Sequence, residues 1–116
     1  MRVLGWLGVI VTIGVLLVGA LLLLLIRSSK DTVLLGQALR ELVTRAKVLG
    51  LSNRDIANVN SLLEYAEYDM ALSILATQLY EHTIFLDADY YQLLQSVAEK
   101  LKLPEQEYTF VKELVI

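Results

Sequence analysis

Apolar positions follow two regimes along this chain. From Val3 to Ile26 they run for 24 residues without a charged side chain, and from residue 28 onward they recur at intervals of three and four. The first regime predicts one transmembrane helix. At 1.5 Å rise per residue the run reaches about 36 Å, enough to cross a hydrocarbon core of about 30 Å with modest tilt. Lipid offers backbone groups no partner, so a lone span must be helical. A cleaved secretory signal competes with this reading, with Arg2 as its positive start and Val18-Gly19-Ala20 as its cleavage site. Leu21 to Ile26 prolongs the apolar stretch beyond the roughly 7 to 15 residues of a signal core, which favours a retained anchor. The expected organisation is a transmembrane anchor over residues 1–27 and a soluble helical domain over 28–116.

The second regime is helical. Leu35, Leu39, Leu42, Ala46 and Leu49 are spaced 4,3,4,3 and predict a helix over residues 31–49, with Gly50 as its C-terminal stop. Ser52 and Asp55 have capping-box spacing, the acid being one methylene shorter than the usual Glu. Ile56, Val59, Leu63 and Ala66 then line one face of a second helix ending near Tyr65 or Ala66. A third, Tyr68 to His82, would bury Leu72, Leu75 and Leu79 with Ala71 and Ile74 beside them. Thr83 to Leu86 reads as extended chain, and Asp87 as the N-cap of a fourth helix. In that helix Tyr91, Leu94, Ala98 and Leu101 recur at 3,4,3 spacing, with Tyr91 expected to pack partly into the core. Pro104 ends the pattern and can begin a last short helix, Glu105 to Leu114. The fold class is therefore all-α: one N-terminal transmembrane helix followed by a small bundle of about five helices.

Charge changes the picture more than its net value of −3 suggests. Between Arg27 and Arg54 stand six basic residues and two acids. Between Asp55 and Ala98 stand seven acids and no Lys or Arg. Basic residues close behind the span (Arg27, Lys30, Arg40) are expected to place the C-terminal domain in the cytoplasm by the positive-inside rule, on a bacterial inner membrane. The absence of cysteine agrees with a reducing compartment. Anionic lipid of the cytoplasmic leaflet would attract the basic segment.

Most of the acids have a structural explanation. Asp55, Glu67, Asp69, Asp87 and Asp89 fall at or near predicted helix N-termini, where anions cap and meet the positive end of the macrodipole. Glu64 and Glu81 fall in last turns, against that preference, and so are better candidates for function. Five of the six tyrosines, Tyr65, Tyr68, Tyr80, Tyr90 and Tyr91, share the acidic block. Tyrosine beside carboxylate suits a protein interface that steers a basic partner. It does not suit a nucleic-acid platform, whose aromatics stand among cations.

Enzyme chemistry has little to rest on. His82 is the one histidine, with no cysteine, and after the span only Gly36 and Gly50 remain, too few for a phosphate loop. His82 near a helix C-terminus has a structural explanation as a donor to the last carbonyls. No cofactor and no metal are expected.

The segment Leu63-Glu64-Tyr65-Ala66-Glu67-Tyr68-Asp69-Met70-Ala71-Leu72-Ser73-Ile74-Leu75-Ala76-Thr77-Gln78-Leu79-Tyr80-Glu81 resembles the MafI-like bacterial immunity proteins, whose pattern looks like "LLE..E...AL..L..QLYE". The resemblance spans about residues 52–103. It implies a small helical bundle that neutralises a cognate polymorphic toxin, often a nuclease, by occlusion and without catalysis. Glu64, Glu67, Gln78, Tyr80 and Glu81 fall on matched positions. The N-terminal span departs from the family pattern. The resulting expectation is a membrane-anchored immunity protein, not an enzyme, with a toxin and the lipid bilayer as partners and no nucleic acid. Its binding residues would be Glu64, Tyr65, Glu67, Tyr68, Gln78, Tyr80 and Glu81. The alternative is a single-pass adaptor docking a resident complex, with the Leu35 to Leu49 stripe as an assembly seam.

Overall fold

Residues 32–116 are described by a computed structural model, in which α1 covers residues 32–49, α2 Asn53–Glu64, α3 Tyr68–Glu81 and α4 Ala88–Lys100. The expected anchor over residues 1–27 lies outside the described residues, and among the described ones no helix is long and apolar enough to cross a membrane. Two 3-10 segments, Glu105–Glu107 and Thr109–Leu114, follow α4. No strand occurs among the described residues; Leu86 and Val115 form one isolated parallel bridge.

All four helices end in the same way. After α2 the Glu67 N–H reaches back to the Leu62 carbonyl and the Ala66 N–H to Leu63, a Schellman motif. Ile84 and Thr83 repeat it on Leu79 and Tyr80, Leu103 and Lys102 on Ala98 and Glu99, Leu51 and Gly50 on Ala46 and Lys47. The motif needs one residue at positive φ. Glycine supplies it only after α1 (Gly50, φ 115°), whereas Ala66 (56°), Thr83 (49°) and Lys102 (58°) adopt it elsewhere. This explains why Ala66, expected on the buried stripe of α2, is exposed instead: it lies past the last helical residue.

At their starts the helices differ. Ser52 Oγ accepts from the Asp55 N–H (3.2 Å) and donates to Asp55 Oδ2 (2.9 Å), so the shortened capping box closes through the hydroxyl. Asp87 Oδ1 accepts from the Tyr90 N–H at 2.7 Å. Glu67 occupies the N-cap position of α3 yet makes no capping hydrogen bond.

Leu34–Ile116 forms one compact unit, with α3 at its centre. Ala71, Leu72, Leu75, Ala76 and Leu79 are all fully buried, a stripe wide enough to meet neighbours on two sides. Leu39, Leu42 and Ala46 of α1 are fully buried in the same core, which makes that stripe internal packing. Leu49, at its end, remains 41% exposed. In α4 the buried tyrosine is Tyr90, with Tyr91 half-buried. The reason is register: 90, 94, 97 and 101 repeat as helically as 91, 94, 98 and 101. Only the first set lets the phenol donate to the Leu42 carbonyl across the core (2.8 Å). Arg45 covers that ring at 5.4 Å and pairs with Asp87 at 3.5 Å, joining α1 to the start of α4.

The final helical stretch is 3-10 in two pieces because Tyr108 (φ −141°, ψ −22°) breaks the run between them. Its buried Tyr108, Val111 and Leu114 cover α3 and α4, and the Leu86 N–H donates to Leu114 at 2.9 Å.

Candidate functional site

The expected binding residues separate into groups set by the length of α3. Fourteen residues of helix put about 20 Å between its ends. Glu64, Tyr65, Glu67 and Tyr68 lie at the α2–α3 corner, whereas Gln78, Tyr80 and Glu81 lie at the far end.

At the corner Glu64 is the last residue of α2 and Tyr65 its C-cap, 77% exposed. The Schellman turn at Ala66 then reverses the chain, so Glu67 and Asp69 lie just beyond it, together with Met70 (52% exposed). Tyr68 turns partly inward and packs over α1: a Cβ placed on Gly36 would stand 2.9 Å from its Oη, so a larger residue there would displace the hydroxyl end of the ring. An open groove of about 400 Å³ runs between the corner and the end of α4, lined by Ala66, Glu67, Tyr68, Asp69, Met70 and Leu101. The two ion pairs among the described residues lie elsewhere, so Glu64, Glu67 and Asp69 make no salt bridge there. The α2 C-terminus brings the negative end of its dipole to Glu64, and the α3 N-terminus brings its positive end to Glu67 and Asp69.

At the far end Gln78 and His82, one turn apart, line a second open groove of about 420 Å³ with Ser52, Arg54, Asp55 and Asn58. His82 is the C-cap of α3, and its Nε2 lies 3.2 Å from Asp55 Oδ2, which ties the end of α3 to the start of α2. Serine, aspartate and histidine thus meet, but in the wrong order for nucleophilic catalysis. Asp55 stands between the other two, and a triad needs the imidazole there to take the hydroxyl proton. Tyr80 points to a third place: its hydroxyl donates to Glu113 Oε2 (3.1 Å) and its ring meets Phe110 edge-on at 5.3 Å. That carboxylate hydrogen bond and the like charge it carries raise the Tyr80 phenol above its ordinary range. Glu81 is exposed and unpaired among the described residues.

Among the described residues the corner brings two of the expected residues, Glu67 and Tyr68, to an open concave surface beside exposed Tyr65 and Met70. Sequence spacing offered Glu64, Tyr65, Glu67 and Tyr68 but not the groove floor. Met70 carries no polar signal, and Leu101 arrives from the other end of α4. The class of protein defined this far is a small helical bundle with an acidic, aromatic corner. No family model, curated protein or solved structure matches the chain.

Proposed function

We propose that this chain is a membrane-anchored immunity protein that binds and neutralises a cognate toxin through the α2–α3 corner. The observation that carries the reading is the set of carboxylates without a salt bridge, Glu64, Glu67 and Asp69, around exposed Tyr65 and Met70, with Glu64 placed at the negative end of α2. Carboxylates left without partners on a folded surface repel one another, and a basic partner relieves that repulsion while the aromatic and thioether groups give it apolar area. The toxin is accordingly basic, and a nuclease, which must hold polyanionic substrate in a cationic groove, fits this requirement. The segment 63–81 that resembles MafI-like proteins contains the whole corner. Residues 1–27 hold the domain at the inner face of the cytoplasmic membrane, where an incoming toxin emerges.

Co-expression with the product of an adjacent toxin gene tests the proposal. Cells carrying this protein survive, and binding weakens steeply with salt and by about tenfold on Glu64→Lys, equivalent to about 1.4 kcal/mol. Equal killing with and without the protein would overturn it.

A further inference from the structure

The α2–α3 corner lies at the end of the bundle where the chain enters α1. Tyr68, at the start of α3, packs against Gly36 near the start of α1, and Leu101, at the close of α4, lines the corner groove. The opposite end holds the close of α1, with Ile84 beside Gly50 and Arg45 paired to Asp87 at the start of α4. The helix α1, about 27 Å long, separates the two ends. At the entry end Leu34, Tyr65 and Met70 are each more than half exposed. In the sequence the apolar run closes at Ile26, and the six steps from there to Thr32 reach at most about 22 Å whatever their conformation, less than the length of α1. A run that crosses a bilayer therefore keeps the entry end close to lipid, and the chain itself holds no other part of the domain there.

We propose that the entry end rests on the bilayer, with Leu34, Tyr65 and Met70 in the interfacial layer of the lipid. The inference rests on the reading of residues 1–27 as an anchor, and it adds the surface that faces the membrane. Tyrosine suits that layer because its ring is apolar and its hydroxyl stays wet. The contact is apolar and not electrostatic. Glu64, Glu67 and Asp69 at this end are matched in number by Arg40 beside Gly36 and by Lys100 and Lys102 on either side of Leu101, which leaves no cationic excess to draw anionic headgroups. A partner of the corner accordingly meets it at the bilayer surface and displaces lipid from Tyr65 and Met70.

Site-directed spin labelling tests it on the full chain in phosphatidylcholine nanodiscs. The chain has no cysteine, so a nitroxide on one introduced cysteine reports one position. Tyr65→Cys and Met70→Cys place labels at the entry end, and Val48→Cys and Phe85→Cys, also exposed, place them at the far end. Collisions with oxygen, which concentrates in lipid, and with a water-soluble nickel chelate read each environment. Nickel collisions at positions 65 and 70 are expected to be several-fold lower than at 48 and 85, and oxygen collisions higher. Leu34→Ser with Met70→Ser should raise nickel collisions at position 65 towards the far-end value. Replacing half of the lipid with phosphatidylglycerol should leave all four positions as they were. Equal nickel access at the two ends overturns the orientation, no response to the double serine variant overturns the apolar contact, and labels driven deeper by phosphatidylglycerol make the contact electrostatic. Failure of the protein to stay with the nanodiscs removes the anchor and the inference with it. Immunity fails separately: shielded labels in a protein that protects against no toxin keep the orientation and remove immunity, whereas protection by a protein whose corner is open to nickel does the reverse.

Discussion

Thr83 adopts φ 49° so that the end of α3 can close on itself, and replacing it with glycine should stabilise the protein. A non-glycine residue in the left-handed region costs about 1–2 kcal/mol, and a β-branched one belongs at the upper end because two Cβ substituents crowd the backbone. Glycine returns part of this by adding about 0.4–1 kcal/mol of backbone entropy to the unfolded chain. Thr83 is exposed and its hydroxyl has no hydrogen bond among the described residues, so little else is lost. The net gain is about 1 kcal/mol, a rise of roughly 4–8 °C in Tm for a domain of this size. Urea unfolding of a fragment of residues 28–116, followed by circular dichroism at two protein concentrations, measures it. The matched control is Gly50→Ala. A Cβ there meets only Ile84 Cδ1, at 3.9 Å, so space is adequate and its cost of about 1–2 kcal/mol comes from φ 115° alone. A loss of stability in Thr83→Gly, alongside the expected loss in Gly50→Ala, would refute the reasoning. Something other than backbone strain would then govern the α3 terminus.

Further outcomes follow from other contacts. Tyr90→Phe removes the bond from a fully buried phenol to the Leu42 carbonyl, at a cost of about 1–2 kcal/mol in the same urea assay. Burial pushes the Tyr90 phenol well up, against a smaller opposing effect of Arg45. Its contribution is therefore complete below the ordinary tyrosine pKa of about 10. Above that value it falls by about 1.4 kcal/mol per pH unit, since the unfolded chain ionises first. Unfolding free energies between pH 10 and 11 should fall more steeply in the native protein than in Tyr90→Phe, where the raised phenols of Tyr80, Tyr91 and Tyr108 leave a residual slope. Leu75→Ala, in the middle of the core, should cost about 2–5 kcal/mol by differential scanning calorimetry, and a cost under 1 kcal/mol would mean the core relaxes around it. Asp87→Ala loses the α4 cap and the pair with Arg45, for about 1–2 kcal/mol in thermal melts. On the proposed function, deleting residues 1–27 should leave toxin affinity unchanged by calorimetry; protection lost nonetheless would show that this segment is itself functional.

How far the sequence could be read depended on whether a feature was local. The α2 start was legible because Ser52 and Asp55 are three apart and cap one another, and the α1 stripe was legible because its period is helical. Tyr91 packs partly against the core as expected, but the fully buried Tyr90 went unmarked because adjacent residues satisfy a helical period equally. The choice was made by a carbonyl 48 residues away, a partner no local pattern contains. The same limit applies to the candidate site. Composition marked 63–81 as acidic and tyrosine-rich, but the helix that contains most of it is straight and about 20 Å long, and it carried Tyr80 to Glu113 and Gln78 to the groove beside His82. Only the residues that straddle a turn stay together in space. The α2–α3 corner keeps Glu64, Tyr65 and Glu67 side by side because Ala66 reverses the chain between them, so the backbone position that strains the turn also assembles the acidic surface. Ala66→Gly separates these two effects: it should raise stability by up to about 1 kcal/mol while removing one methyl from the groove. On the proposed function, unchanged toxin binding at higher stability would show that the corner needs the reversal and not the alanine, whereas weakened binding would give the methyl a place in the contact surface.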